Sequence, residues 1–144
     1  MFLTKKLWHT LSYTWGLPMS IIGTLAYYGL TALGYKPEKN IYGVVFRIGQ
    51  DWGGINLGPV SIISKDSGPR IARHEFGHSV QNCLYGPFYL LMVAVPSFCR
   101  YWYQEYQLRV LGLSDDELAP YDSAWFEGQA TELGELYYEA QLDC

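Results

Sequence analysis

The sequence predicts an α+β chain that is mostly helical, and three observations carry that expectation. An uncharged apolar run fills the first quarter, two β-branched stretches separated by Gly-rich turns follow, and the rest reads at helical period. The expected order is an amino-terminal membrane-associated helix, a short antiparallel strand pair, a helix carrying the main motif and a carboxy-terminal helix. At 144 residues there is room for a single core. The natural division is an apolar segment over 1–36 and a compact domain over 37–144.

Apolar residues make up 49% and charged residues 17%, which excludes a disordered chain. The net charge of −4, with no basic stripe, excludes nucleic acid as a partner. Cys83, Cys99 and Cys144 form no C-x-x-C pair, so neither a zinc knuckle nor a redox dithiol is expected.

From Leu7 to Tyr35 no residue carries a formal charge, and Leu17 to Leu33 is about the shortest length that spans a bilayer as a helix. Lys5 and Lys6 flank one side and Lys36 and Lys39 the other, with Trp8, Tyr13, Trp15 and Tyr35 near the ends. These features predict an uncleaved anchor, integral or monotopic, with a membrane localisation and lipid as a partner. The balanced lysines leave its orientation open. Ser20, Gly23, Thr24, Gly29 and Thr31 dilute the run and suit close helix packing, so a buried helical hairpin is the competing reading.

Ile41 to Ile48 is rich in β-branched and aromatic residues and is closed by a Gly-rich turn, Gly49 to Gly54, so it is expected as a strand. Val60 to Ser64 follows Gly58-Pro59 and is expected to pair with it antiparallel. Ser67-Gly68-Pro69 starts a helix over Arg70 to Leu84, because Pro suits the first helical position, and Gly86-Pro87 stops it. Phe88 to Phe98 is apolar, bracketed by prolines and too short to span, which suggests a surface or re-entrant segment. Arg100 to Leu113 reads as a helix, and Ser114-Asp115-Asp116-Glu117 as a capped turn. Ala124 to Leu142 is the last helix, with Asp122 or Ser123 as its N-cap.

The chemistry concentrates in Arg73-His74-Glu75-Phe76-Gly77-His78, an H-E-x-x-H motif inside a predicted helix. Residues four apart share a helix face, so His74 and His78 can present imidazoles to one ion, and zinc fits that geometry. Glu75 lies about a quarter-turn away, where a carboxylate can act as a base without closing the coordination shell. A catalytic zinc needs a third protein ligand and an open position for water. Glu127 is the first choice, because Glu127, Ala130, Thr131 and Gly134 form one face of small residues that permits a close helix approach. Gly77 and Ser79 lighten the motif helix in the same way. Asp122 and Glu105 are rival ligands, whereas Glu132, Glu135 and Glu139 read as solvated.

His74-Glu75-Phe76-Gly77-His78, followed by Glu127-Gly128-Gln129-Ala130-Thr131, resembles the H-E-x-G-H and E-x-x-A-(D/N) signature of gluzincin metallopeptidases. The likeness is greatest to small membrane-associated gluzincin-like proteins, and His78-Ser79-Val80-Gln81 is similar to their H-x-x-Q extension. The resemblance implies a minimal gluzincin-like fold, His74, His78 and Glu127 as zinc ligands, and Glu75 as general base. Thr131 stands where larger members often carry Asp, and with Gln81 it is a candidate to orient a ligating imidazole. The intramembrane site-two proteases share H-E-x-G-H but take a ligand from an Asn-Pro…Asp-Gly segment that this chain lacks.

The expected function is a membrane-associated zinc metallopeptidase that hydrolyses peptide or protein substrates through a zinc-bound water, with Glu75 moving the proton. Val60 to Ser64 is the expected edge for an added substrate strand. Tyr121, Tyr137 and Tyr138 are the nearest hydroxyl donors for the transition state. In so short a chain a protein partner could complete the cleft. The alternative is a noncatalytic membrane or interaction module that retains a structural metal site.

Overall fold

The structure is a computed structural model that describes residues 3–143. Helices α1 (Lys5–Ser12) and α2 (Leu17–Ala32) precede four strands, β1 (Glu38–Asn40), β2 (Gly43–Arg47), β3 (Gly54–Leu57) and β4 (Val60–Ile63). Helix α3 (Pro69–Tyr85) follows, then a 3-10 turn at Gly86–Phe88 and a π-helical turn at Leu90–Ala94 that runs into α4 (Val95–Arg109). Two 3-10 turns, Asp115–Glu117 and Tyr121–Ser123, lead to α5 (Trp125–Leu142). The class is α+β and mostly helical, as the sequence predicts.

No helix among the described residues is long and apolar enough to cross a membrane, which corrects both the spanning segment and the membrane localisation expected from 1–36. The apolar run breaks at Tyr13–Gly16, where the Gly16 amide bonds the Leu11 carbonyl at 2.7 Å. The 16 residues of α2 reach about 24 Å against a hydrocarbon core of about 30 Å. Both helices are instead tied to the domain. Trp8 is fully buried in a cluster with Phe76, Val80 and Tyr137, and its indole N–H donates to Ser79 Oγ at 3.2 Å. On α2 the buried residues are Met19, Ser20 and Gly23, and Gly23 lies so close to the Leu57 carbonyl that a Cβ would sit 1.9 Å from it. Ser20 and Gly23, two of the small residues that dilute the run, are therefore contact points, while Ile21, Leu25 and Tyr28 stay exposed.

The strands form one mixed sheet in the order β1-β2-β4-β3. β1 pairs antiparallel with β2 and β3 antiparallel with β4, but β2 and β4 run parallel, with Val44 opposite Val60 and Arg47 opposite Ile63. This corrects the expected antiparallel pair. The reason lies in Gly54–Leu57, which the sequence reading left partly in a turn. It makes a tight hairpin with β4 across Gly58-Pro59, where Gly58 takes a φ of +71 and the Asn56 side chain bonds both the Gly58 amide at 2.9 Å and its carbonyl at 3.0 Å. A reversal at β3 leaves β2 and β4 pointing the same way. β4 is consequently an interior strand with both edges paired, and β3, like β1, is an edge.

Pro69 opens α3 as expected, and Gly86, at φ 55, ends it. Ser114 and Glu117 make the expected capping box. Helix α4 starts at Val95 rather than Arg100, since Pro96 is tolerated in a first turn. Asp122 and Ser123 do not cap α5; they belong to the preceding 3-10 turn, and Ala124 at the N-cap offers no side-chain bond.

The closest helix packing in the domain is between α3 and α5. A Cβ on Gly77 would lie 1.8 Å from the Ala130 carbonyl oxygen, and one on Gly134 would lie 2.1 Å from the Arg73 carbonyl oxygen. Ser79, expected on this face, points to Trp8 instead. The two glycines predict a reversal of the usual helix preference. Gly→Ala in a helix normally gains about 1 kcal/mol, and Gly29→Ala, where nothing lies within 4 Å, should raise the melting temperature. Gly77→Ala and Gly134→Ala should lower it, by a cost of about 1–3 kcal/mol typical of overpacking. Equal stabilisation of all three variants in thermal denaturation would contradict the packing.

Candidate metal centre

His74 and His78 stand one turn apart on α3, with ring centroids 4.8 Å from each other and planes at 89°. Across the glycine contact, Glu127 in the first turn of α5 is fully buried. Its Oε2 lies 3.0 Å from His74 Nε2 and 3.3 Å from His78 Nε2. His74, His78 and Glu127 thus form a group that could hold a metal ion, with donor atoms all within 4.8 Å of one another. Asp122 and Glu105, the rival ligands, line the same cleft but pair elsewhere, with Arg70 at 3.6 Å and with Arg109 at 2.6 Å.

The outer nitrogens of both imidazoles are engaged. Thr131 Oγ1 meets His74 Nδ1 at 2.8 Å, and Gln81 Oε1 meets His78 Nδ1 at 2.8 Å. Gln81 is itself fixed, because its Nε2 donates to the Phe126 carbonyl and to Gln129 Oε1. With the Nδ1 atoms held, each ring offers Nε2 towards Glu127, the arrangement that orients a ligating histidine. Thr131 and Gln81, both named from the sequence, are each hydrogen-bonded to one of the two imidazoles.

Burial sets the electrostatics. Burial disfavours charge on Glu127, yet bonds from His74, His78 and Ser97 outweigh it and hold the carboxyl well below the ordinary carboxylate range. Burial also pushes His78 down, but Glu127 and the charge of Glu75 overcome it, and its pKa ends above the usual value. Glu75, only 4% exposed, is raised by burial, with the two histidines opposing. Its Oε1 packs against Gly54 of β3, where a Cβ would come within 2.7 Å. Its Oε2 is buried and has no hydrogen-bond partner among the described residues.

These groups open into a cleft of about 1050 Å³ between the sheet edge, α3, α4 and the turn before α5. Gly54, Ile55 and Asn56 line one side, and Phe98, Tyr101 and Trp102 of α4 line the other. Of the three tyrosines expected as donors, only Tyr121 reaches the cleft. Tyr137 is in the core and accepts the Leu3 amide at 2.7 Å, while Tyr138 lies 3.5 Å beneath the Arg73 guanidinium. Glu135 is not simply solvated, since it pairs with Arg73 at 3.2 Å. Two residues escaped the sequence reading. Ser97 donates to Glu127 Oε1, and Tyr89, 2% exposed, lines the cleft from the segment before α4. Neither stands at a motif offset.

The donor set fits a metal. Two imidazoles and one carboxylate converge, and the carboxylate that does not converge keeps a buried oxygen with no hydrogen-bond partner among the described residues. The group is one that could hold a metal ion; it does not by itself define a peptidase. No family model, no curated protein and no solved structure matches the chain.

Two measurements follow from this geometry. Metal uptake displaces protons from imidazole, so raising the His78 pKa above 6.5 means that affinity falls as pH drops through a value above 6.5. Calorimetry in buffers of different ionisation enthalpy should show proton release on zinc binding that grows as pH is lowered, and release independent of pH would contradict the protonated state. Thr131→Val should weaken zinc binding about 10–100-fold in a chelator competition, as for other residues that orient a ligating imidazole. Unchanged affinity would show that Thr131 does not set the ring.

Proposed function

We propose that the chain is a zinc-dependent metallopeptidase of gluzincin type, with His74, His78 and Glu127 as ligands and Glu75 as general base. One observation carries the reading. Glu75 is buried beside the ligand group without joining it, and Oε2 has no partner among the described residues. A structural metal site needs ligands but has no use for a desolvated carboxylate next to them, and holding one there is costly.

When bound, zinc supplies a Lewis acid that polarises a carbonyl and brings the pKa of water to about 7. Glu75 takes the proton of the attacking water, and the new C–O bond forms at the scissile carbonyl carbon. The same carboxyl then passes that proton to the leaving nitrogen as the C–N bond breaks. Burial supports both halves, because it raises the carboxyl towards the range in which it can accept and return a proton. Gly54 leaves room for the carboxylate.

A peptide can reach the site by pairing with β3, the edge strand along the cleft, through main-chain hydrogen bonds. β3 takes the place expected of Val60 to Ser64, whose edges are both paired. Zinc, rather than a harder cation, suits two imidazoles and one carboxylate.

The test is Glu75→Gln in the zinc-loaded protein, assayed against a library of fluorogenic peptides. Zinc content should be kept, and hydrolysis should fall by at least the factor of about 100 that a positioned base contributes. Wild-type protein with zinc bound and no cleavage of any peptide, or hydrolysis unchanged in Glu75→Gln, would move the reading to a noncatalytic module with a structural metal.

A further inference from the structure

The two oxygens of Glu127 face different surroundings. Oε2 points to the paired imidazoles, and Oε1 accepts the Ser97 hydroxyl, which comes from the first turn of α4. The Tyr121 hydroxyl lies within hydrogen-bonding reach of both Ser97 and Glu127. Three separate parts of the chain therefore meet at one carboxylate that is fully buried.

Helix α4 gives this contact its interest, because none of its residues is buried. Core packing alone does not explain why Ser97 reaches the ligand group. What ties the helix to the carboxyl-terminal part is polar. Arg100 donates to the Pro120 carbonyl at 3.1 Å and to that of Ala119 at 3.4 Å, and its guanidinium lies 5.7 Å from the Tyr121 ring centroid. Ser97 and Arg100 share one face of α4 at a spacing of three, so the same face holds both Glu127 and the segment that carries Tyr121.

A carboxylate beside a metal can bind through one oxygen or two. Bidentate binding by Glu127 would fill the position that a catalytic zinc leaves for water. An acceptor oxygen already committed to the Ser97 hydroxyl, with the Tyr121 hydroxyl beside them, is held away from the ion. We infer that Ser97 and Tyr121 are positioning residues that keep Glu127 a one-oxygen ligand, and this inference rests on the metal site proposed above. Neither hydroxyl touches substrate or metal in this role. Both act through Glu127, and α4, which forms one wall of the cleft, is thereby fastened to the ligand it shapes.

The experiment uses zinc and cobalt(II) as probes on the full chain, comparing wild type with Ser97→Ala, Ser97→Thr, Tyr121→Phe and the Ser97→Ala/Tyr121→Phe pair. Zinc affinity comes from chelator competition, and ligand number from the visible spectrum of the cobalt form, whose bands weaken when a fifth donor joins a tetrahedral set. Ser97→Ala should lose about 10–100-fold in zinc affinity, the range found when a partner of a metal ligand is removed, and its cobalt bands should weaken. Ser97→Thr, which keeps the hydroxyl, should restore both. Tyr121→Phe should move the spectrum in the same direction, and the pair should move it furthest. The melting temperature of the metal-free proteins separates this from simple unfolding, and the two conservative variants carry the test if Ser97→Ala does not fold. Wild-type affinity and an unchanged cobalt spectrum in Ser97→Ala and in the pair would overturn the inference. A wild type that takes up no zinc would overturn it together with the metal site. The stated shifts in a protein that cleaves no peptide would uphold it and remove only the peptidase reading.

Discussion

Helices α3 and α5 meet backbone to backbone, with Gly77 against Ala130 and Gly134 against Arg73, and the site depends on that approach. A glutamate has a short reach. Glu127 can place Oε2 within 3.3 Å of both imidazoles only because nothing larger than hydrogen stands between the helices three residues further along α5. Thr131 gains its bond to His74 from the same contact, one turn beyond Glu127. Gln81 is anchored by α5 through Phe126 and Gln129. One packing choice thus fixes the third donor and the orientation of both rings.

Burial then gives the assembled groups their chemistry. Glu127 stays ionised in a dry position because histidine and hydroxyl donors surround it, whereas Glu75, two residues from Gly77 on the same helix, has no such company at Oε2. Two carboxyls in one cleft are shifted in opposite directions, Glu127 down by its hydrogen-bond donors and Glu75 up by burial. That divergence is what the proposed roles of ligand for Glu127 and proton carrier for Glu75 require. The sheet contributes through Gly54, where the Glu75 carboxylate fills the place of a side chain, so that β3 packs against that carboxylate and lies at an edge of the sheet beside it.

Much of this was legible in the sequence, and the gaps have physical reasons. His74, His78 and Glu127 could be read because helix periodicity is local and the face of small residues announces a close neighbour. Thr131 and Gln81 were pointed to by the resemblance to the gluzincin signature on the same two helices. The parallel pairing of β2 and β4 could not be read, because it depends on where β3 lies, and a four-residue strand beginning with Gly looks like a turn. The apolar run at 7–35 suggested a bilayer, since hydropathy does not tell burial in lipid from burial against protein. The break at Tyr13–Gly16 and the contacts of Trp8, Ser20 and Gly23 decide for protein at those residues. Ser97 and Tyr89 are brought to the cleft by long-range packing, and no local pattern records that.

Three side chains from two helices are placed to hold one metal ion, proposed above to be zinc. Elemental analysis of purified wild type beside His78→Ala and Glu127→Ala tests that assignment most directly. The geometry predicts about one zinc per chain in wild type and loss in both variants, because removing any one donor leaves an incomplete set for a ligand-exchanging ion. Zinc absent from wild type, or retained in full by Glu127→Ala, would contradict the three-donor site and the chemistry built on it.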